Sequence, residues 1–169
     1  VDVDPVAAMF NDAYFQEALH MSLAAYEATA FAVAGIYAFG FLRGRGDQYH
    51  RAALTVSLAI GVIIAVLQPV SGDFTARWVA ENQPVKFAAL EGQFETQSHA
   101  GLHIGGIPDQ EKRETKYALE LPGMLSFLAH GNLNAEVQGL DEWPIADQPN
   151  PLIVHLAFQL MVGIGFSLI

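Results

Sequence analysis

Residues 18–42, ALHMSLAAYEATAFAVAGIYAFGFL, run for 25 positions in which His20 and Glu27 are the only acidic or basic side chains. A helix rises about 1.5 Å per residue, so this stretch is long enough to cross a hydrocarbon core roughly 30 Å thick. It predicts a transmembrane helix, and two further runs repeat the pattern. Residues 52–70 are 19 positions without charge, closed by Gln68 and Pro69; residues 152–169 are 18 positions whose one titratable group is His155. The last run is still apolar at Ile169 and reads as truncated. The fold class that follows is an all-α membrane protein, three transmembrane helices of a larger helical bundle with a long connector at 71–151.

Of the 169 residues, 52% are hydrophobic and 15% charged, and the mean hydropathy of +0.28 lies above that of an ordinary soluble domain. A secreted or cytosolic enzyme is disfavoured. With no cysteine, a disulfide framework, a thiolate zinc or iron–sulfur site and a thiolate-ligated haem are excluded. The net charge of −10, from 8 basic and 18 acidic side chains, lacks the basic footprint that nucleic acid requires. The chain opens at Val1 without Met, shows no signal peptide and closes inside an apolar run, so it reads as a piece of a larger protein.

Cytoplasmic loops of membrane proteins carry the Lys/Arg excess. The loop at 43–51 holds Arg43, Arg45 and Arg51 against Asp47, which predicts the cytoplasmic face. The lead-in at 1–17 has Asp2, Asp4, Asp12 and Glu17 and no base, so it is expected outside, as is the connector after two crossings. That connector has 81 residues, with 5 basic and 12 acidic side chains and six of the eight prolines, too long for a passive turn. Gln83 and Pro84 open a helical piece that runs to Glu91, with Pro well suited to a first helical position. The remainder, with Gly105–Gly106, Pro108–Asp109 and Asn132–Asn134, reads mainly as turns.

Several side chains in this frame can carry chemistry. His20, near the outer end of the first span, is expected to point into a bundle, either hydrogen-bonded to a neighbouring helix or ligating a metal. Met161 in the third run is either core filling or the thioether partner of an imidazole on six-coordinate haem iron, a pair that raises the reduction potential. His155, six residues earlier, competes as a ligand or sits at the membrane interface. Glu27 costs about 2.5–3.5 kcal/mol at the centre of a span and must face protein or water. It lies two turns from His20, on the same face and about 10 Å deeper, as a proton-path member, a polar neighbour of a buried cofactor or a protonated or paired group between helices. Small residues at Ala24, Ala28 and Ala32 and at Ala30, Ala34 and Ala38 permit close helix approach. Lys86 and Glu91 stand about 140° apart around a helix and cannot form one tight pair. They form a solvated face or bracket a small polar ligand such as a quinol ring, with Glu91 as proton acceptor.

Five strings in order, Glu17-Ala18-Leu19-His20, Gly72-Asp73, Gln83-Pro84-Val85-Lys86-Phe87-Ala88-Ala89-Leu90-Glu91, Gly106-Ile107-Pro108-Asp109 and Phe158-Gln159-Leu160-Met161-Val162, resemble subunit I of the cytochrome bd quinol oxidases. The resemblance covers nearly the whole chain and only a central part of such a subunit. It implies that His20 and Met161 are the axial ligands of a low-spin haem b, and that Lys86 and Glu91 serve quinol binding and oxidation in an extracytoplasmic loop at 71–151, of the shorter of the family's two loop types. It also implies a high-spin haem b and a haem d or further haem b elsewhere in the full subunit, where oxygen is reduced. The implied partners are quinol, a second membrane subunit (subunit II), small accessory chains and the lipid bilayer of a bacterial or archaeal plasma membrane; this piece alone is expected to be inactive. Two departures stand out. Family members often carry arginine two residues before the methionine, where this chain has Gln159, which keeps hydrogen bonding and loses the charge. Glu27 stands where an apolar residue is expected, so no family role transfers to it. Outside the resemblance, the competing reading is a proton-coupled transporter or channel segment with a His20/Glu27 relay.

Overall fold

A computed structural model describes residues 4–169; Asp2, one of the four acids of the lead-in, lies outside the described residues. Among the described residues are six α-helices: α1 (Pro5–Met9), α2 (Tyr14–Leu42), α3 (Gln48–Asn82), α4 (Pro84–Glu91), α5 (Met124–His130) and α6 (Pro151–Ser167). Three helical stretches, Tyr14–Leu42, Gln48–Asn82 and Ile145–Ser167, are long and apolar enough to cross a membrane, as the three uncharged runs predict. The chain divides into two compact units, one of residues up to Gly72 together with Gly165–Ile169, the other Asp73–Ile164.

The first unit is built on a helical hairpin. Contacts pair His20 with Ser71, Ala30 with Gly61 and Gly40 with His50, so α2 and the first part of α3 run antiparallel. Of the two alanine ladders in α2, one buries Ala30 and Ala34 and leaves only its last member, Ala38, exposed, whereas Ala28 and Ala32 of the other are exposed. The facing stripe on α3 is Ser57, Gly61 and Ala65, all buried and spaced by four, which lets the backbones approach closely. Glu27 shares the buried face with Ala30 and Ala34, as a carboxyl in an apolar span must.

Helix α3 does not stop where the apolar run does. It continues through Pro69 to Asn82, because charge ended the run without ending the helical pattern. Asp73 accepts from Arg77 Nε one turn on, at 2.9 Å, and Val79 faces a hydrophobic cluster with Phe87, Ala100, Leu125, Ala129 and Val137. The lost Pro69 N–H removes one ladder bond, a smaller sacrifice in lipid than unwinding the backbone.

The connector holds more regular structure than turns. Six short strands form three antiparallel pairs: β1 (Gln97–Ser98) with β6 (Glu136–Val137), β2 (Leu102–Ile104) with β5 (Leu119–Leu121), and β3 (Ile107–Asp109) with β4 (Glu114–Lys116). Gly105 and Gly106, both at positive φ, make the expected turn, but Pro108 and Asp109 lie in β3. Helix α4 is central to this unit. Phe87 faces the cluster around Val79, and Ala88 and Ala89 face a second cluster with Phe94 and Leu140.

Candidate functional site

Helix α4 opens with Pro84 at its first turn and closes on Gly92 in the left-handed region, the terminal asymmetry that fixes short helices. Packing between two clusters buries Phe87, Ala88, Ala89 and Glu91 and leaves Lys86 exposed. The two residues expected to bracket a ligand therefore face different ways, as their angular spacing requires. Glu91 is 5% exposed, and its Oε2 has no hydrogen-bond partner in the protein. Removal from water disfavours the charged form, and burial pushes the Glu91 carboxyl up to about 8.

Three successive carbonyls at the end of α4 are held by side chains from elsewhere in the same unit. Leu90 O accepts from His155 Nδ1 at 2.7 Å, Glu91 O from His103 Nδ1 at 3.2 Å and Gly92 O from Thr115 Oγ1 at 2.8 Å. These bonds satisfy acceptors that a helix C-terminus leaves unpaired. His155 is fully buried, and its Nε2 lies 3.0 Å from Gly105 O. One turn on, Gln159 accepts from Gly105 N at 3.1 Å and donates to His103 O at 2.9 Å. His155 and Gln159 thus staple α6 to the turn after β2 and, through Leu90, to the residue before Glu91. Both His155 nitrogens are turned to carbonyl oxygens of the protein, so binding iron at this position would require one of those contacts to open.

Gly92 cannot be replaced without disturbing this cap. Its φ is +65°, and a Cβ would stand 2.7 Å from Thr115 Oγ1 and 3.3 Å from His155 Nδ1. Gly92→Ala is expected to destabilise the connector by about 2–3 kcal/mol, from left-handed strain plus overpacking, read as earlier thermal unfolding of the full-length protein in membranes.

In the first unit, His20 Nδ1 lies 2.9 Å from Ser71 Oγ. Ser71 Oγ spends its hydrogen on Gln68 O at 2.9 Å, so it accepts from His20, which places the imidazole proton on Nδ1. Nε2 then carries the lone pair, and Gln68 Nε2 is 3.2 Å from it. A ligating histidine has one nitrogen donating to a protein acceptor and the other turned to the metal. Ser71 supplies that acceptor for His20 Nδ1, and Nε2 fits a haem-iron ligand once the Gln68 amide, 3.2 Å away, turns aside. Met161 lies on α6 in the second unit, 51% exposed, while Gln159 uses both ends of its amide on the β2 turn. Glu27 Oε1 has no hydrogen-bond partner, and His20 is engaged by Ser71 and Gln68. Sequence reasoning missed Gln68, Ser71, His103 and Thr115; a polar pair three residues apart at the end of an uncharged run was the available signal for the first two.

A family model described as cytochrome bd terminal oxidase subunit I matches residues 1–169. The chain belongs to this family. A Bacillus subtilis (strain 168) protein named as a cytochrome bd menaquinol oxidase subunit I is 42% identical over 172 residues, covering 99% of this chain and 39% of its own length. The cytochrome bd-II ubiquinol oxidase subunit 1 of Escherichia coli (strain K12) is 32% identical over 158 residues, covering 93% of this chain and 31% of its own. Among solved structures, the bd oxidase from Geobacillus thermodenitrificans matches with a TM-score of 0.88 and 41% identity, over 99% of this chain and 38% of the other. The chain thus spans about two fifths or less of the subunit I proteins it matches. Membership of the bd oxidase family favours the resemblance over the transporter reading.

Proposed function

We propose that this chain is the part of a respiratory quinol oxidase subunit where quinol is oxidised against helix α4 and electrons leave through a low-spin haem b held by His20 and Met161. The observation that carries the reading is Glu91, a buried carboxyl with one unpartnered oxygen on a helix end fixed by three side chains. Oxidising a quinol requires taking protons from its hydroxyls, and a carboxyl poised near neutrality does so with a small change in driving force. Each quinol gives up two protons and two electrons. Glu91 takes the protons in turn and hands each to the outer solvent, and Lys86, exposed on the same helix, attracts the negative charge that deprotonation leaves on a quinol oxygen. His20, its ring held by Ser71, and Met161 would hold the haem iron, which would take the electrons one at a time. When bound, the haem supplies a one-electron acceptor whose potential is raised by its thioether ligand.

In this reading the connector faces the extracytoplasmic side of a bacterial plasma membrane and releases the quinol protons there. The remaining haems, the oxygen chemistry and the contact with a second subunit belong to the rest of the protein. The test is a reduced-minus-oxidised visible spectrum of membranes carrying the full-length subunit, wild type against Met161→Leu and His20→Ala. Loss or shift of a low-spin b-type band in both variants is the expected outcome. An unchanged band in either variant removes that residue from the iron.

A further inference from the structure

At the other end of the α2–α3 hairpin lies a basic concavity that quinol chemistry does not use. Helix α2 ends in a paired motif: Arg45 N donates to Gly40 O at 3.0 Å and Gly44 N to Phe41 O at 2.9 Å, with Gly44 in the left-handed region at φ +80°. These two bonds are the Schellman pattern, and they lock the backbone that carries Arg43 and Arg45. The Arg43 guanidinium is fixed further, 4.5 Å over the centre of the Phe39 ring, an arrangement that holds a cation by the ring quadrupole. Between them is a concavity of about 200 Å³ whose lining combines the basic Arg43, Arg45 and His50 with Ile36, Tyr37, Phe39 and Gly40.

The charge in this turn is unbalanced. Three arginines, Arg43, Arg45 and Arg51, stand within nine residues of a chain with net charge −10. Among the described residues, neither Arg43 nor Arg45 has an ion-pair partner. The one nearby acid, Asp47, is committed to starting α3: its Oδ1 accepts from His50 N and lies 2.8 Å from His50 Nδ1. Those bonds hold the Asp47 carboxyl below its ordinary range, so it stays anionic against His50 and its single charge leaves the turn of three arginines net basic.

The geometry points to a binding site for the phosphodiester headgroup of an anionic phospholipid, with Arg43 and Arg45 on the phosphate and the acyl chain along Ile36 and Phe39. The apolar half of the lining selects the lipid over a free anion. Ile36 is 69% exposed, Phe39 54% and Leu42 86%, at the end of a helix apolar enough to span a bilayer, where headgroup and acyl chain meet. A soluble phosphate would leave that surface uncovered. Basic side chains beside a membrane-spanning helix act on anionic headgroups in this way.

Native mass spectrometry of the full-length subunit in its purified membrane complex tests the site, titrating phosphatidylglycerol and, separately, phosphatidylcholine with the same acyl chains. Wild type is expected to show one binding step that favours phosphatidylglycerol, and Arg43→Gln/Arg45→Gln to weaken that step about fivefold for each arginine removed. Arg43→Lys/Arg45→Lys, which keeps the charges, should stay within about fivefold of wild type. Inorganic phosphate should not compete at concentrations that match the lipid. Equal affinity of wild type and the glutamine variant for phosphatidylglycerol overturns the proposal, as does a step shared equally by both lipids. Loss in the lysine variant as complete as in the glutamine variant also overturns it, and displacement by inorganic phosphate would reassign the site to a free anion.

Discussion

Replacing Glu91 with Gln in the full-length subunit is expected to slow quinol-driven reduction of the haems by about 10²–10⁴-fold, the usual contribution of a positioned acid or base. The same variant should give an unchanged spectrum when reduced by dithionite, which needs no proton acceptor at α4. The two readouts separate a chemical role from a structural one: glutamine preserves the shape of the buried side chain and removes only its ability to take a proton. The pH profile sharpens the test. Burial pushes the Glu91 carboxyl up to about 8, so at lower pH most molecules hold the proton already and cannot accept another. Wild-type turnover should rise about tenfold per pH unit below that value and level off above it, and the glutamine variant should lose this limb. Stability has the opposite slope. The folded state keeps a proton that the unfolded chain releases near the ordinary glutamate value of 4.5, so the connector loses stability as pH rises from there through about 8. Glu91→Gln should remove that loss, making an inactive variant more resistant to alkaline unfolding. A fall in activity below twofold would take Glu91 out of the chemistry.

The membrane-spanning helices were legible because length and missing charge are local properties of the chain. Helix α4 was legible for a similar reason, since Gln83-Pro84 marks its start and Glu91 precedes a glycine. The end of α3 was not: Pro69 and Asp73 both look like stops, yet the helical face continues through Arg77 and Val79 into the connector core. The strands escaped notice because none is longer than three residues, too short for an alternating pattern to register. For the site, Lys86, Glu91, His20 and Met161 came from motif strings, and their spacing along α4 foretold that Lys86 and Glu91 face apart. What spacing could not reveal is the support around them. Ser71 and Gln68 meet His20 across 51 and 48 residues, and His155 reaches Leu90 and Gly105 across 65 and 50. Gln159, read as a lost charge, is engaged at both ends of its amide with the β2 turn.

The second large effect is expected at His155. His155→Leu leaves Leu90 O without the donor it meets at 2.7 Å. A stranded acceptor costs about 1–3 kcal/mol, so the connector should lose about 1–3 kcal/mol, enough to open locally without unfolding the spanning helices. Limited proteolysis of the full-length protein in membranes would read this as much faster cleavage within residues 83–150. Quinol turnover should fall in step, because Leu90 fixes the backbone next to Glu91. The conservative variant His155→Gln carries an amide nitrogen with two N–H donors and should recover part of both losses. The dithionite-reduced spectrum should stay at wild type in both variants, since removing a side chain from α6 leaves its backbone ladder and Met161 in place. Loss of the low-spin band in His155→Leu with no change in proteolysis would transfer His155 from staple to iron ligand, and would require its bonds to Leu90 and Gly105 to break when haem is bound.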